Sequence, residues 1–441
     1  RHHWHQRTAE SLNRSVELFE QAIAADPQYA PAYTGLADAY LLLVGYGDMD
    51  PKVAQRKAEP LIATALSLGP DLAEPYASQG LLRWIRGDHA AAELALRAAV
   101  ERNPNYSMAS MWLGGVLGEE HRYTESLAAY QNAWAADPLH PVINSNLAGT
   151  YLKMGRFTEA REAVRRMTSL GYEAASASLL AAEVESQAGN LVGAVEIATA
   201  AAELHPDNPK LAMLTSSLYA MLGREEAARG WLGKAEVAGV DGPHLRLMHY
   251  LLLLRLGEGQ RIADLSEAML AEVPEWHLGG LDDTQRALLV WPGITRLVDG
   301  RLEEGLEILG YADVQSGIMG LSTESQVGIL SLMAHAEMQL NLPPARIATR
   351  LERAATVARE AQANGWNSPG MQVRLAVVEA MRGNVNEAAA LLNEAVDAGW
   401  HDLYLELSLP GAQVLEGPEF RAILNRVEQD LAAMRRQLVD A

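Results

Sequence analysis

The stretch GRFTEAREAVRRM, residues 155–167, opens on a glycine, places an alanine at 160 and ends on Met167. Moved by 34 residues in either direction, the same frame falls on residues of the same kind. The glycine position becomes Gly87, His121, Gly189, Gly223 and Gly257. The alanine position becomes Ala58, Ala92, Ser126, Ala194, Ala228 and Ile262, while Met167 aligns with Ala65, Ala99, Ala133, Ala201, Ala235 and Met269. Beyond these stand Pro70, Pro104, Pro138, Tyr172, Pro206, Val240 and Pro274, in a chain with only 19 prolines among 441 residues. Several registers that agree over successive steps identify an internal repeat.

The physics of that frame is a helical hairpin. Glycine reaches the left-handed conformation that closes a helix, so each unit's first helix is expected to end at its glycine. The second helix then runs about 15 residues to the proline, which cannot continue it. Small residues recur where the two helices cross, at Gly80, Gly114, Ala148, Ala182 and Ser216 in the first helix and at Ala92, Ala160, Ala194 and Ala228 in the second. Larger side chains there would push the axes beyond the ~8–10 Å of packed helices. One hairpin cannot bury its own apolar face, so neighbours must stack. Helical periodicity between the marks predicts an all-α protein with essentially no strand.

A helix–turn–helix unit of this length and these marks resembles the tetratricopeptide repeat (TPR), and YAPAYTGLADAYLLL (29–43) and RFTEAREAVRRM (156–167) are close to its pattern. The resemblance implies a TPR α-solenoid, a right-handed superhelix of about eleven hairpins with a C-terminal capping helix. We expect a regular array over 1–274, whose first hairpin is incomplete and whose GYGDMDP insertion (45–51) lengthens one turn. An irregular repeat and link over 275–320, with its GLDDT and QSGIMG segments, is expected to change the superhelical direction and divide the solenoid into two lobes. Further TPR-like hairpins over 321–417 and a capping helix in 418–441 complete the division.

Composition narrows the function. A net charge of −20 argues against nucleic-acid binding by this segment, because phosphate contacts need a basic footprint. The longest apolar runs, such as 287–294, fall far short of the ~20 residues that span a bilayer. The absence of cysteine excludes disulfides and thiolate chemistry. No H-E-x-x-H, G-x-S-x-G, Walker loop or dinucleotide fingerprint occurs, so no catalytic residue, metal site or cofactor is expected. GYGDMD (45–50) lacks the sixth-position glycine and twelfth-position glutamate of an EF-hand and reads as a turn. His89, His121, His140, His205 and His335 follow the repeats rather than any ligand spacing. RHHWHQRT (1–8) falls where the first helix of the first hairpin should end; its histidines read as helix residues, with metal ligands or a tag remnant as the other readings.

That opening, SVELFEQAIAADP (15–27) and GWHDLYLELSLPGAQVLEGPEFRAILNRV (399–427) resemble the C-terminal TPR regions of CadC-like winged-helix regulators, TPR-linked adenylate cyclases and kinases of bacteria. Without a methionine at residue 1, the chain reads as part of a longer one. The resemblance implies a non-catalytic protein- or peptide-binding and signal-sensing module, periplasmic and anchored through an upstream membrane segment, with homo-oligomerisation as an option. The alternative is a cytoplasmic scaffold that recruits protein substrates to an enzyme. By the family's positions, the first helices present a concave groove at Trp84, Ile85, Met108, Met111, Val142, Ser145, Lys153, Leu179, Glu183, Lys210 and Met213. Methionines and a tryptophan there suit an adaptable apolar peptide or helix. Asn146 matches one member of a carboxylate-clamp pattern, but Met111, Gly115 and Leu180 break it.

Overall fold

The computed structural model describes residues 8–440 except 48, 171–173, 241–242, 279–280, 282, 315–321 and 404–408. Among these residues the regular structure is α-helix with short 3-10 turns and no strand. The histidines of RHHWHQRT lie outside the described residues. Two compact units are present, Arg1–Thr150 and Tyr151–Ala441.

In the first unit, α1 (Ala9–Ala25) packs on α2 (Ala30–Tyr46). Three hairpins follow: α2 with α3 (Pro51–Leu68), α4 (Ala73–Ile85) with α5 (His89–Arg102), and α6 (Ser107–Glu119) with α7 (Tyr123–Ala136). Helix α8 (Pro141–Lys153) follows, and the division between units falls within it.

The turn at Gly87 shows how the frame works. Its φ of 77° lets Gly87 N–H donate to the Trp84 carbonyl at 2.8 Å and Asp88 N–H to the Arg83 carbonyl at 3.0 Å. Two orphan carbonyls of α4 are thereby satisfied. The Asp88 carboxylate then accepts from Ala91 N–H at 3.2 Å and caps α5. His121 makes the same turn without a glycine, at φ 60°, with Arg122 N–H reaching the Leu117 carbonyl at 2.9 Å. The crossing sites are tight. A Cβ on Gly80 would lie 2.5 Å from the Leu96 side chain, and one on Gly114 would lie 2.8 Å from the Tyr130 ring.

The second unit continues with α9 (Phe157–Ser169), then pairs α10 (Ala174–Gln187) with α11 (Leu191–Leu204), α12 (Pro209–Met221) with α13 (Glu225–Ala238), and α14 (Pro243–Arg255) with α15 (Gly259–Ala271). A 3-10 turn at Trp276–Leu278 leads into α16 (Asp283–Val298) and α17 (Leu302–Tyr311). The described part of 275–320 lies within this unit, and the rest of that stretch lies outside the described residues. Helices α18 (Thr323–Gln339) and α19 (Pro344–Ala363) pair next, followed by α20 (Pro369–Met381) and α21 (Val385–Asp397). The last helix, α22 (Arg421–Asp440), packs against both α21 and the much earlier α11. One apolar cluster accordingly joins Leu191, Val195 and Leu222 to Phe420, Val427 and Leu431.

Candidate partner-binding surfaces

The expected groove residues divide between the two units. In the first, Trp84 and Ile85 end α4 and are half-buried. The Trp84 indole lies against Gly115 of α6, where a Cβ would come within 2.3 Å of its ring. Its Nε1–H donates to Glu119 Oε2 at 2.7 Å, and His89 Nε2 lies 3.2 Å from the same oxygen. Trp84 is thus pinned between α4 and α6 rather than presented as a free anchor. The expectation for Met108 and Met111 is corrected, since they are only 2% and 5% exposed. The reason is geometric: α6 packs on α4 as well as on its own partner α7, and large side chains fill the space between repeats. Of the expected residues on α8, Val142 and Ser145 are half-buried, and at Gly149, one turn beyond Ser145, a Cβ would meet nothing within 4 Å.

In the second unit, Lys153 and Lys210 are exposed, and Leu179 and Glu183 on α10 are half-buried. Met213 requires the same correction as the other methionines. It is 1% exposed and sits in a cluster with Ala175, Leu211 and Trp231, against which Leu179 also packs. Burial pushes the Glu183 carboxyl up to about 7. One repeat later in the same register stands Ser217 of α12, whose hydroxyl accepts from the Arg255 guanidinium. Arg255 also pairs with Asp402, which lies 147 residues away in sequence. Lys153 faces another distant element: its carbonyl accepts from Asn367 N–H at 3.1 Å, and its ammonium lies 5.7 Å from the Trp366 ring centre.

Arg255 and Asp402 are residues that sequence reasoning missed. They carry no repeat mark, and nothing in their spacing announces that they meet other parts of the chain. Charged side chains otherwise form a network at the His121 turn. There Arg122 pairs with Glu93 at 2.6 Å, Glu120 at 3.0 Å and Glu125 at 2.7 Å. No group of three or more His, Cys, Asp or Glu among the described residues is placed to hold a metal. No described helix is long and apolar enough to cross a membrane.

Residues 119–183 match one tetratricopeptide-repeat family model, and residues 78–141 and 348–402 match another. Over those residues the chain is built of tetratricopeptide repeats. It is 24% identical over 155 residues to tetratricopeptide repeat protein 21B of Mus musculus, a match that spans 34% of this chain and 11% of that protein. Among solved structures it is similar to yeast Tom70, at 12% identity and a TM-score of 0.40, with 97% of this chain and 93% of that one covered. It is also similar to the pilus biogenesis factor PilW, at 22% identity and a TM-score of 0.38, with 46% of this chain and 90% of that one covered.

Proposed function

We propose that this tetratricopeptide-repeat chain is a non-catalytic protein- or peptide-binding module of a larger bacterial signalling or transcription-regulatory protein. The observation that carries the reading is the set of tetratricopeptide-repeat matches at 78–183 and 348–402, helical hairpins whose first helices leave side chains partly accessible within each unit. The first unit offers half-buried Val142 and Ser145 beside the open ground at Gly149, and the second by itself offers half-buried Leu179 and Glu183 and exposed Lys210. Small and mixed apolar–polar side chains of this kind suit an extended or helical peptide rather than a reacting substrate. Lys153 and Lys210 provide steering toward acidic groups on a partner, and the net charge of −20 favours basic groups elsewhere.

A displayed peptide library selected on the immobilised chain tests this. Ser145→Arg and Leu179→Arg, each checked for an unchanged melting temperature, should abolish capture of the selected peptides. Selected peptides that bind both variants as well as the parent would place the binding surface elsewhere and sink the assignment. Placement in the periplasm, behind a membrane segment, rests on the resemblance to CadC-like regulators. The coding sequence preceding Arg1 distinguishes it from a cytoplasmic scaffold: a basic winged helix and an apolar segment of ~20 residues support the former.

A further inference from the structure

Within the second unit the chain meets its own earlier repeats at three successive hairpin turns. At the first, Asn367 N–H donates to the Lys153 carbonyl at 3.1 Å. Beside it, a Cβ on Gly155 would stand 2.7 Å from the Asn367 carbonyl oxygen. At the second, Gly189 and Gly399 touch backbone to backbone. A Cβ on Gly189 would lie 2.8 Å from the Gly399 Cα, and one on Gly399 would lie 2.7 Å from the Gly189 nitrogen. At the third, Arg435 Nε donates to the Leu222 carbonyl at 2.6 Å, and Arg224 Nη2 donates to the Arg435 carbonyl at 3.0 Å. The early points 155, 189 and 223 follow the repeat, and the later points 367, 399 and 435 advance nearly in step with them. Two stretches of solenoid therefore run side by side in the same sense. The Arg255–Asp402 pair ties them further, and beneath them the apolar face of α22 joins Leu191, Val195 and Leu222.

We propose that the described segments 366–403 and 409–440 form a reversible clasp, held in cis across the turn edge Lys153–Arg224. We infer that the partner it excludes is an amphipathic helix carrying a basic residue where α22 carries Arg435. In a solenoid each repeat is stabilised by its nearest neighbours, so the hairpins from α10 to α13 hold one another whether or not the clasp is closed. Opening it is therefore a sub-global event that costs less than unfolding. The polar contacts of the third point end on the backbone carbonyl of Leu222 and on a helix carbonyl, which any helix with an arginine at that position can reproduce. The apolar part requires only residues spaced like Val427 and Leu431 on one helical face. This deepens the reading of the chain as a binding module by naming the partner's chemistry at a second surface.

The probe is a fluorescein-labelled synthetic peptide of residues 418–440, PEFRAILNRVEQDLAAMRRQLVD, added to the whole chain. The parent protein, its edge occupied in cis, should bind it poorly. The variant Leu431→Ala with Arg435→Ala should bind it roughly tenfold or more tightly, because apparent affinity scales with the open fraction. Circular dichroism of the variant should lose no more helix than α22 contributes. Equal binding by both proteins, absence of binding by the variant, or a loss of helix throughout it would overturn the proposal. Arg435→Ala alone should speed hydrogen exchange over 191–222 without loss of helicity, and unchanged exchange there would overturn it equally. The peptide's binding is independent of Ser145 and Leu179, so failure of the library test leaves this one intact, and the reverse.

Discussion

Met111, 5% exposed, fills the space between α6 and the helices it packs on. Truncation removes buried methylene and sulfur contacts and leaves a cavity, so Met111→Ala is expected to cost about 2–5 kcal/mol. Urea denaturation measures this, and a cost near zero would restore the methionine to an exposed groove. Glu183 makes a different prediction. Its carboxyl ordinarily titrates at 4.5 and is pushed up to about 7 by burial, so the fold favours the protonated form. The stability linked to that raised value is complete below pH 4.5 and is lost as pH rises through 7. Glu183→Gln should therefore scarcely change the melting temperature at acidic pH, where the glutamate is already neutral. Above neutrality it should stabilise the protein by roughly 1–3 kcal/mol. Melts on both sides of neutrality that give the same difference would show that the carboxyl is solvated.

At the scale of elements, the α18–α19 hairpin rests on a buried ion group. Glu337 is fully buried and lies 2.7 Å from Arg346 Nε and 2.7 Å from Arg350 Nη2. Burial alone would raise its carboxyl, but hydrogen bonds and charge from Arg350 and Arg346 hold it below the usual value. Its contribution is thus present above the ordinary carboxylate pKa and lost as pH falls through the lowered one. Glu337→Ala leaves the Arg350 guanidinium, 7% exposed, without its carboxylate, and a loss of about 3–5 kcal/mol is expected. The double change Glu337→Leu with Arg350→Met should recover most of that loss, because it removes both charges rather than stranding one. Chemical denaturation of the single and double variants decides the point. If both are equally destabilised, shape rather than charge governs this hairpin.

For the molecule as a whole, each unit makes its own prediction for hydrogen exchange. In the first, α1 makes its principal contacts with α2 alone, while α4, α5 and α6 are each packed against two or more helices. Amides of α1 should exchange before those of α4, α5 and α6, since among the described residues α1 has a single packed neighbour. In the second, α11 packs on α10, α12 and α22, and α12 on α10, α11 and α13, around an apolar cluster that also holds residues of α20 to α22, and their amides should be among the slowest. Mass-resolved exchange reads both units in one experiment. Protection of α1 equal to that of α6 would overturn the first expectation.

The helices, their turns and their pairing were legible in the sequence because those features are local. A glycine at φ 69° or 85° and a small residue at a crossing act within one hairpin, and the 34-residue frame repeats them. Among the described residues the structure bears out the all-α, TPR-type series of helical hairpins. What tertiary structure decided is everything that depends on neighbours brought together by accumulated rotation. The frame places Met108, Met111 and Met213 on first helices, but their exposure of 2%, 5% and 1% follows from how closely the next repeat packs. Likewise, no spacing rule could pair Arg255 with Asp402 or set Gly189 against Gly399. In a solenoid each repeat is rotated slightly from the last, and such rotations summed over many repeats set where a distant segment returns. A sequence read repeat by repeat encodes each step but not their sum.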